Sequence, residues 1–168
     1  VLAGANPNAS EYRLRPGETF TTPEMIYTHS FCGAGGASRN LHDWGRNYGV
    51  YHAERVVPTL LNSWEGAYFD FDAKVLKQMI DDAASMGLEM FVLDDGWFGN
   101  KYPRNAANAG LGDWQVNRKK LPAGIDDIAS YAHRKGLKFG IWIEPEMVNL
   151  KSELAERHPD WIVRPPKR

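Results

Sequence analysis

The sequence predicts an α/β fold built from parallel strands. From Pro58 onward, short apolar runs alternate with amphipathic helical patterns, which is the sequence signature of parallel β/α units. The second and third apolar runs also end in acidic residues and tryptophan. We therefore expect about three β/α units over residues 58–168, preceded by a region of different character.

Residues 1–57 are predicted to hold the end of a β-rich domain and a linking helix. Short extended runs at residues 12–14 and 19–21 flank a turn-like Arg-Pro-Gly-Glu at residues 15–18. The glycines of residues 33–36 are expected to form a flexible breaker. Residues 37–48 are then predicted to be a helix with Leu41 and Trp44 on one face.

Strands are predicted over residues 59–64, 89–94 and 138–144. The first connecting helix is expected to begin at its N-cap Asp72 and to end at Gly87. The second follows Leu121 and ends at Gly136, and a short helix over residues 152–157 stops before Pro159. The positions predicted to face inward are Val75, Leu76, Met79, Ile80 and Ala83 in the first helix and Ile125, Ile128, Ala129 and Ala132 in the second.

The ends of these strands predict a TIM-type barrel. The segment after the second strand is too long for a simple connection, so the carboxyl ends of the strands carry the functional signals. An open doubly wound sheet is the alternative, but the sequence has no glycine-rich phosphate-binding motif. A closed barrel needs about 250 residues. Together with a start at Val1 without Met, this predicts the N-terminal part of an incomplete barrel, as a fragment of a longer protein.

Composition excludes several partner classes. A net charge of -1 from 20 basic and 21 acidic residues gives no basic stripe for nucleic acid and no polybasic patch for a membrane. Cys32 is the only cysteine, and the five histidines lack metal-site spacing. We therefore expect no metal and no cofactor, and a small uncharged molecule as the partner.

Asp94 and Asp95 are the most informative pair. Adjacent strand residues point in opposite directions, so both reach one ligand only where the chain leaves the strand, and Gly96 permits that departure. Two carboxylates accept several hydrogen bonds from vicinal hydroxyls, which suits a polyol. Helix capping or a solvated turn is the alternative. A general acid and base pair is ranked lower, because neighbours at one strand end are poorly placed on opposite sides of a scissile bond.

Trp142 and Trp64 repeat the pattern of an aromatic residue at a strand end. Alternation places Trp142 and Glu144 on the face opposite Ile141 and Ile143, so Trp142 is predicted to face the barrel interior, where an indole stacks on a sugar ring. An ordinary core position is the alternative. Core or loop-anchoring roles are expected for Trp97, Trp114 and Trp161, and loop structure or a rim contact for Asp113.

These residues belong to five ordered motifs that resemble bacterial α-galactosidases (melibiases) of glycoside hydrolase family 36 from about Arg39 to the end. The motifs are Asn62-Ser63-Trp64-Glu65 with Tyr68-Phe69-Asp70-Phe71, Asp94-Asp95-Gly96-Trp97-Phe98-Gly99, Leu111-Gly112-Asp113-Trp114, Trp142-Ile143-Glu144-Pro145-Glu146-Met147 and His158-Pro159-Asp160-Trp161. The resemblance implies the edge of a β-sandwich domain and a linker before Pro58, then a (β/α)8 barrel. It also implies hydrolysis of terminal α-galactosyl groups from melibiose, raffinose or similar galactosides.

In the family, an Asp pair matching Asp94 and Asp95 takes the hydroxyls at C4 and C6 of galactose, and tryptophans matching Trp64 and Trp142 wall the pocket. The implied chemistry is a retaining double displacement by two further carboxylates about 5 Å apart. The family nucleophile lies in a Lys-Trp-Asp pattern that does not occur in this sequence. No catalytic residue is therefore assigned to this chain.

Three alternatives to an α-galactosidase stay open on the same scaffold: an α-N-acetylgalactosaminidase, a galactosyl transferase and a noncatalytic sugar-binding relative. The sequence also leaves open a cytoplasmic or periplasmic location, and whether the full-length protein forms a homo-oligomer.

Overall fold

The computed structural model describes residues 12–163, so the first eleven residues of the predicted β-rich region and the last five residues lie outside the described range. The chain divides between Val56 and Val57 into two compact units. The α-helices and strands, in chain order, are α1 (Gly33–Trp44), β1 (Leu60–Asn62), α2 (Trp64–Ala67), α3 (Ala73–Ser85), β2 (Met90–Leu93), α4 (Ile125–Arg134), β3 (Lys138–Ile141) and α5 (Glu153–Arg157). A π-helical turn at Gly45–Gly49 continues α1, and a 3-10 turn at Pro159–Trp161 follows α5.

The first unit contains a helix where one was predicted, although it begins at Gly33 and not at residue 37. The turn at residues 15–18 is present, with the Glu18 amide donating to the Arg15 carbonyl at 3.0 Å. Residues 12–32 contain no strand, so the predicted extended runs stay unpaired there. The predicted breaker at residues 33–36 is wrong, because these glycines form the first turn of α1. A Cβ on Gly36 would clash with Ser30 Oγ, so the close approach of Ser30 explains why a glycine stands at this position in the helix.

The second unit contains a three-stranded parallel sheet in the order β1-β2-β3. Leu61 is in register with Phe91, which is in register with Phe139. All three strands are shorter than predicted. After Asn62 the backbone turns helical at Ser63 and starts α2 at Trp64, so Trp64 follows the first strand and does not close it.

Two amphipathic helices connect the strands and cover one face of the sheet. Asp72 caps α3 by accepting hydrogen bonds from the amides of Lys74 and Val75, both at 2.9 Å. Gly87 and Gly136 follow α3 and α4 with φ of 76° and 84°, as expected of glycines beyond a helix end. The predicted starts and ends of both helices are therefore confirmed to within a few residues.

The apolar core lies between this face and the two helices. Phe91 and Leu93 of β2 are fully buried there, as alternation along a strand requires. The helix residues buried with them are Leu76, Ile80 and Ala83 of α3 and Ile128 and Ala132 of α4. Val75 was predicted to face inward as well, but this prediction is wrong, because Val75 is 40% exposed.

The opposite face of the sheet is partly exposed. Leu60 is in register with Met90 on this face, and Val92 is in register with Asn62 of β1 and with Gly140 of β3. A Cβ on Gly140 would lie 2.6 Å from the Met90 Cε atom, so the glycine makes room for a neighbouring side chain. Within residues 12–163, no helix has the length and apolar character needed to cross a bilayer.

Candidate functional site

The candidate site lies at the carboxyl edge of the sheet, where all three parallel strands end. Asn62 closes β1, Asp94 and Asp95 follow β2, and Trp142 follows β3. Backbone ladder bonds continue just past the strands: the Ser63 amide donates to the Val92 carbonyl at 3.0 Å. The Trp142 amide likewise donates to the Leu93 carbonyl at 2.9 Å. The sheet thus brings the three strand ends side by side.

Asp94 is held by neutral donors from two strands. The Asn62 side-chain amide donates to Asp94 Oδ2 at 2.6 Å, and the Asp95 backbone amide donates to Asp94 Oδ1 at 2.7 Å. The Ser63 hydroxyl accepts from the Asp94 amide at 3.0 Å. A carboxylate offers about four acceptor positions. Two positions on the half-buried Asp94 side chain are therefore available to a ligand.

Asp95 has a different environment, because a buried arginine binds it. The Arg104 Nε donates to Asp95 Oδ1 at 2.9 Å and to Oδ2 at 3.1 Å, and Nη2 donates to Oδ2 at 2.8 Å. Arg104 and Asp95 are 5% and 6% exposed. Nε carries a single N–H that is shared between the two oxygens, so two N–H groups of Arg104 bind Asp95, one mainly on each oxygen.

Trp64 is placed by the same asparagine that binds Asp94. Its backbone amide donates to Asn62 Oδ1 at 2.8 Å. The rings of Tyr68 and Phe69 lie edge-on to its indole, with centroid separations of 5.2 and 5.0 Å. Tyr68 ends α2 with φ of 45°, a left-handed conformation that few non-glycine residues adopt. A short helix and a tight turn thus orient the Trp64 indole.

Trp142 is held by two other tryptophans. The Trp97 indole Nε1 donates to the Trp142 carbonyl at 3.0 Å, which links the segment after β2 to the end of β3. The Trp114 ring lies 6.4 Å from the Trp142 ring, and 6.0 Å from that of Trp97. The half-buried Trp142 indole therefore packs on the long segment after β2, and Ile141 and Ile143 beside it are exposed.

We call residues 94–124, which join β2 to α4, the β2–α4 loop. A bridge between Phe98 and Val116 closes its base. Lys120 Nζ donates to the carbonyls of Phe69 and Gly96 at 2.7 and 3.0 Å. Burial lowers the pKa of the Lys120 ammonium, although the charges of Asp70 and Asp95 act in the raising direction. The loop is thus built from specific polar contacts.

Four buried or half-buried polar residues form what we call the polar cluster: Asp95, Arg104, Asp113 and Asn149. Asn149 Oδ1 accepts from Arg104 Nη1 at 2.9 Å and from the Leu111 amide at 3.0 Å. The Asp113 carboxylate accepts from the amides of Glu153 and Leu154 at 2.9 and 3.0 Å, which caps α5. Asp113 therefore has the structural role that was one of its two expected roles.

Three of the four predicted site residues, Asp94, Asp95 and Trp64, lie in one hydrogen-bonded arrangement. Asn62 binds the Asp94 carboxylate and the Trp64 amide, and the Asp95 amide binds the Asp94 carboxylate. Sequence reasoning missed Asn62, although alternation along the predicted strand 59–64 would have put it on the same face as Trp64. It also missed Arg104 and Asn149, for which the sequence carries no local signal. Trp161, expected in the core or as a loop anchor, is 65% exposed and stacks on His158 at 4.0 Å.

The described residues hold no group of three or more histidine, cysteine, aspartate or glutamate side chains suited to a metal ion. What the carboxyl edge offers instead is hydrogen-bond acceptors beside indole rings. Carboxylates bind hydroxyl groups, and indole faces bind apolar C–H surfaces. This arrangement is chemically suited to a carbohydrate.

Comparison with known proteins finds relatives that are named alpha-galactosidases. Alpha-galactosidase C of Emericella nidulans is 44% identical over 173 residues, covering 97% of this chain and 23% of that protein. Alpha-galactosidase AgaA of Geobacillus stearothermophilus is 43% identical over 171 residues, covering 100% of this chain and 23% of that protein. The chain thus spans about a quarter of the length of these relatives, which include fungal and bacterial proteins.

Solved structures agree with the sequence matches. The crystal structure of AgaA, a GH36 alpha-galactosidase, matches with a TM-score of 0.83 and 44% identity, over 92% of this chain and 21% of that chain. An AgaA variant in complex with raffinose matches with a TM-score of 0.74 and 43% identity, over 79% of this chain and 18% of that chain. The model of the family described as Melibiase matches residues 19–168. The chain therefore belongs to the melibiase family.

Proposed function

We propose that this chain forms the galactose-binding part of a retaining α-galactosidase that acts on oligosaccharides such as melibiose and raffinose. The observation that carries the proposal is the hydrogen bond from Asn62 Nδ2 to Asp94 Oδ2 at 2.6 Å. It holds a carboxylate with free acceptor positions at the carboxyl edge, between strand ends that carry Trp64 and Trp142. The AgaA complexes with raffinose and stachyose support this substrate class.

In this proposal Asp94 and Asp95 accept hydrogen bonds from hydroxyls of the galactosyl group, and Trp64 and Trp142 contact its apolar C–H surface. None of these residues attacks the anomeric carbon. The reaction is a double displacement by two further carboxylates that this chain does not supply. The Trp97-Phe98-Gly99 run after the aspartates favours a hydrolase of the bacterial type.

The proposal includes the fold around the site: the three β/α units are the first of a TIM-type barrel. The strand order follows the chain order, and α3 and α4 share one core on one face of the sheet. A doubly wound sheet has helices on both faces because its strand order reverses, and the three described strands show no such reversal. Residues before Pro58 are assigned to the end of a β-sandwich domain and to a linker, for which α1 supplies the helix.

The first test uses the complete gene product and an aryl α-galactoside. We expect Asp94→Ala to lower kcat/KM about tenfold to a hundredfold, because hydrogen bonds to a charged acceptor are lost in both the ground state and the transition state. Asp126→Ala, at an exposed position in α4, is the matched control and should leave kcat/KM unchanged. Recovery of Asp94→Ala by azide or formate would show instead that Asp94 is a catalytic carboxylate.

The second test uses the 168-residue chain alone. We expect no hydrolysis of the aryl α-galactoside at a molar concentration at which the complete gene product is active, because no catalytic carboxylate is assigned to this chain. Turnover by the purified chain, after removal of host α-galactosidase, would assign the chemistry to a carboxylate within it, such as Asp94 or Glu144.

A further inference from the structure

Arg104 has an unusual set of partners for a loop residue. Its guanidinium is buried, and two of its nitrogens bind both carboxylate oxygens of Asp95. Its remaining nitrogen, Nη1, donates to Asn149 Oδ1 at 2.9 Å and to the Ala107 carbonyl at 2.8 Å. It also donates to the carbonyls of Ala106 and Ala109 at 3.3 and 3.2 Å. One side chain thus joins Asp95, the tip of the β2–α4 loop and the segment after β3.

The fork geometry fixes the orientation of the Asp95 carboxylate. Two parallel N–H donors on a planar guanidinium hold both oxygens of a carboxylate in one plane, which a single donor does not do. The remaining acceptor positions lie on the sides of the two oxygens that face away from the guanidinium. Asp95 can therefore accept a further hydrogen bond only in directions that Arg104 sets.

The neighbouring Asp94 has no such arginine, and its carboxylate is bound differently. Asp94 accepts from the Asn62 amide and from a backbone amide, each on a different oxygen, and keeps two positions free. Lys120 also lies near Asp95, but its ammonium donates to backbone carbonyls. Arg104 is therefore the cation that binds the Asp95 carboxylate directly.

We propose that Arg104 is a positioning residue that directs Asp95 toward a single hydroxyl of the galactosyl group and so contributes to specificity for that hydroxyl. This inference rests on the proposed function. Removing the guanidinium leaves Asp95 with free rotation and with competing solvent contacts. The cost falls on substrates that carry the hydroxyl bound by Asp95, and not on the analogue that lacks it.

The test compares three substrates with the complete gene product: an aryl α-galactoside and its 4-deoxy and 6-deoxy analogues. We expect Arg104→Met to lower kcat/KM for the galactoside and for one deoxy analogue by about tenfold or more, as for loss of a charge-assisted hydrogen bond. The other analogue, which lacks the hydroxyl bound by Asp95, should lose at least several-fold less. Arg104→Lys keeps the charge but not the fork, so it should show the same pattern with a smaller loss.

Asp113→Asn is the matched control, because Asp113 belongs to the polar cluster but contacts α5 and not Asp95. It should change kcat/KM by the same factor for all three substrates. An equal loss across the three substrates in both Arg104 variants would overturn the inference and leave Arg104 with a loop-folding role. Absence of galactoside turnover by the unsubstituted protein would overturn the proposed function, and the inference with it.

Discussion

Ile80 in α3 and Asp113 in the β2–α4 loop are buried to nearly the same extent, at 0% and 1% exposure, but different forces hold their surroundings together. Ile80 belongs to the apolar core, where the favourable energy comes from removing hydrocarbon from water and from close packing. Asp113 belongs to the polar cluster, where each buried group needs a hydrogen-bond partner. In this chain the first region supports the sheet and the second shapes its carboxyl edge.

The two regions also differ in how they tolerate change. An apolar core loses stability in proportion to the volume removed, and its neighbours partly fill the gap. A polar cluster loses most when one partner of a pair is deleted and the other stays buried. The described residues leave no buried side-chain nitrogen or oxygen without a partner. Every buried side-chain nitrogen and oxygen of the polar cluster therefore has a hydrogen-bond partner.

The largest effect on stability is expected from the apolar core. Ile80→Ala should lower the free energy of unfolding of the 168-residue chain by about 2–5 kcal/mol, because it removes a fully buried side chain and leaves a cavity. Val75→Ala on the same helix is the matched control, since Val75 is 40% exposed, and should change it by less than about 0.5 kcal/mol. Urea unfolding measures both. Equal losses would mean that Val75 is as deeply packed as Ile80.

An intermediate effect is expected from the polar cluster. Asp113→Ala should lower the free energy of unfolding by about 1–3 kcal/mol, because the amides of Glu153 and Leu154 lose their acceptor at the start of α5. Asp113→Asn keeps one side-chain oxygen and should lose less. Gln115→Ala, at an exposed position in the same loop, is the control.

Hydrogen exchange locates the Asp113 effect. Faster exchange in Asp113→Ala should be confined to α5 and to the β2–α4 loop, with α3 and α4 protected as before. Uniformly faster exchange through α3 and α4 would show that the polar cluster and the apolar core unfold as one unit, and the comparison between them would fail.

The smallest effect is expected at the surface, where Asp81 of α3 accepts from Lys135 Nζ at 2.6 Å and from the Tyr131 hydroxyl at 2.9 Å. The hydrogen bond from Lys135, and then that from Tyr131, lowers the pKa of Asp81 below its ordinary value of 3.8. A lowered folded-state pKa gives stabilisation that is present above the ordinary value and is lost as pH falls through the folded one.

The advantage of the natural chain over Asp81→Asn should therefore shrink as pH falls below 3.8. Urea unfolding at pH 6 and pH 3 measures this change, and added salt should reduce it because the pair is exposed. Asp126→Asn, at an exposed position in α4, serves as the control. A stability difference between Asp81→Asn and the natural chain that stays constant with pH would contradict the assignment.

The difference between the apolar core and the polar cluster also explains which features could be predicted from the sequence. The helices α3 and α4 were predictable because Leu76, Ile80 and Ala83 repeat at helical spacing, and because Asp72 and Gly87 mark the ends. Such signals lie within a few residues of the feature they predict. Strand order and the alignment of the strand ends then follow from the rules for parallel β/α units.

The polar cluster could not be predicted, because its partners are distant in the sequence. Arg104 and Asn149 are 45 residues apart, and neither has a neighbour that indicates the other. The prediction of where α1 begins was wrong for a similar reason. Glycines usually break helices, but here Gly36 is required by the approach of Ser30, which is a packing contact and not a local preference. Long-range contacts override local propensity in both places.

The row of indoles formed by Trp97, Trp114 and Trp142 has a consequence for spectroscopy. Ring centroids 6.0 and 6.4 Å apart, at tilts of 34° and 64°, place the transition dipoles of neighbouring indoles within coupling range. Asymmetrically arranged, coupled indoles give near-ultraviolet circular dichroism that depends steeply on ring separation and angle. A displacement of Trp142 should therefore change the near-ultraviolet circular dichroism of the protein, without an added label.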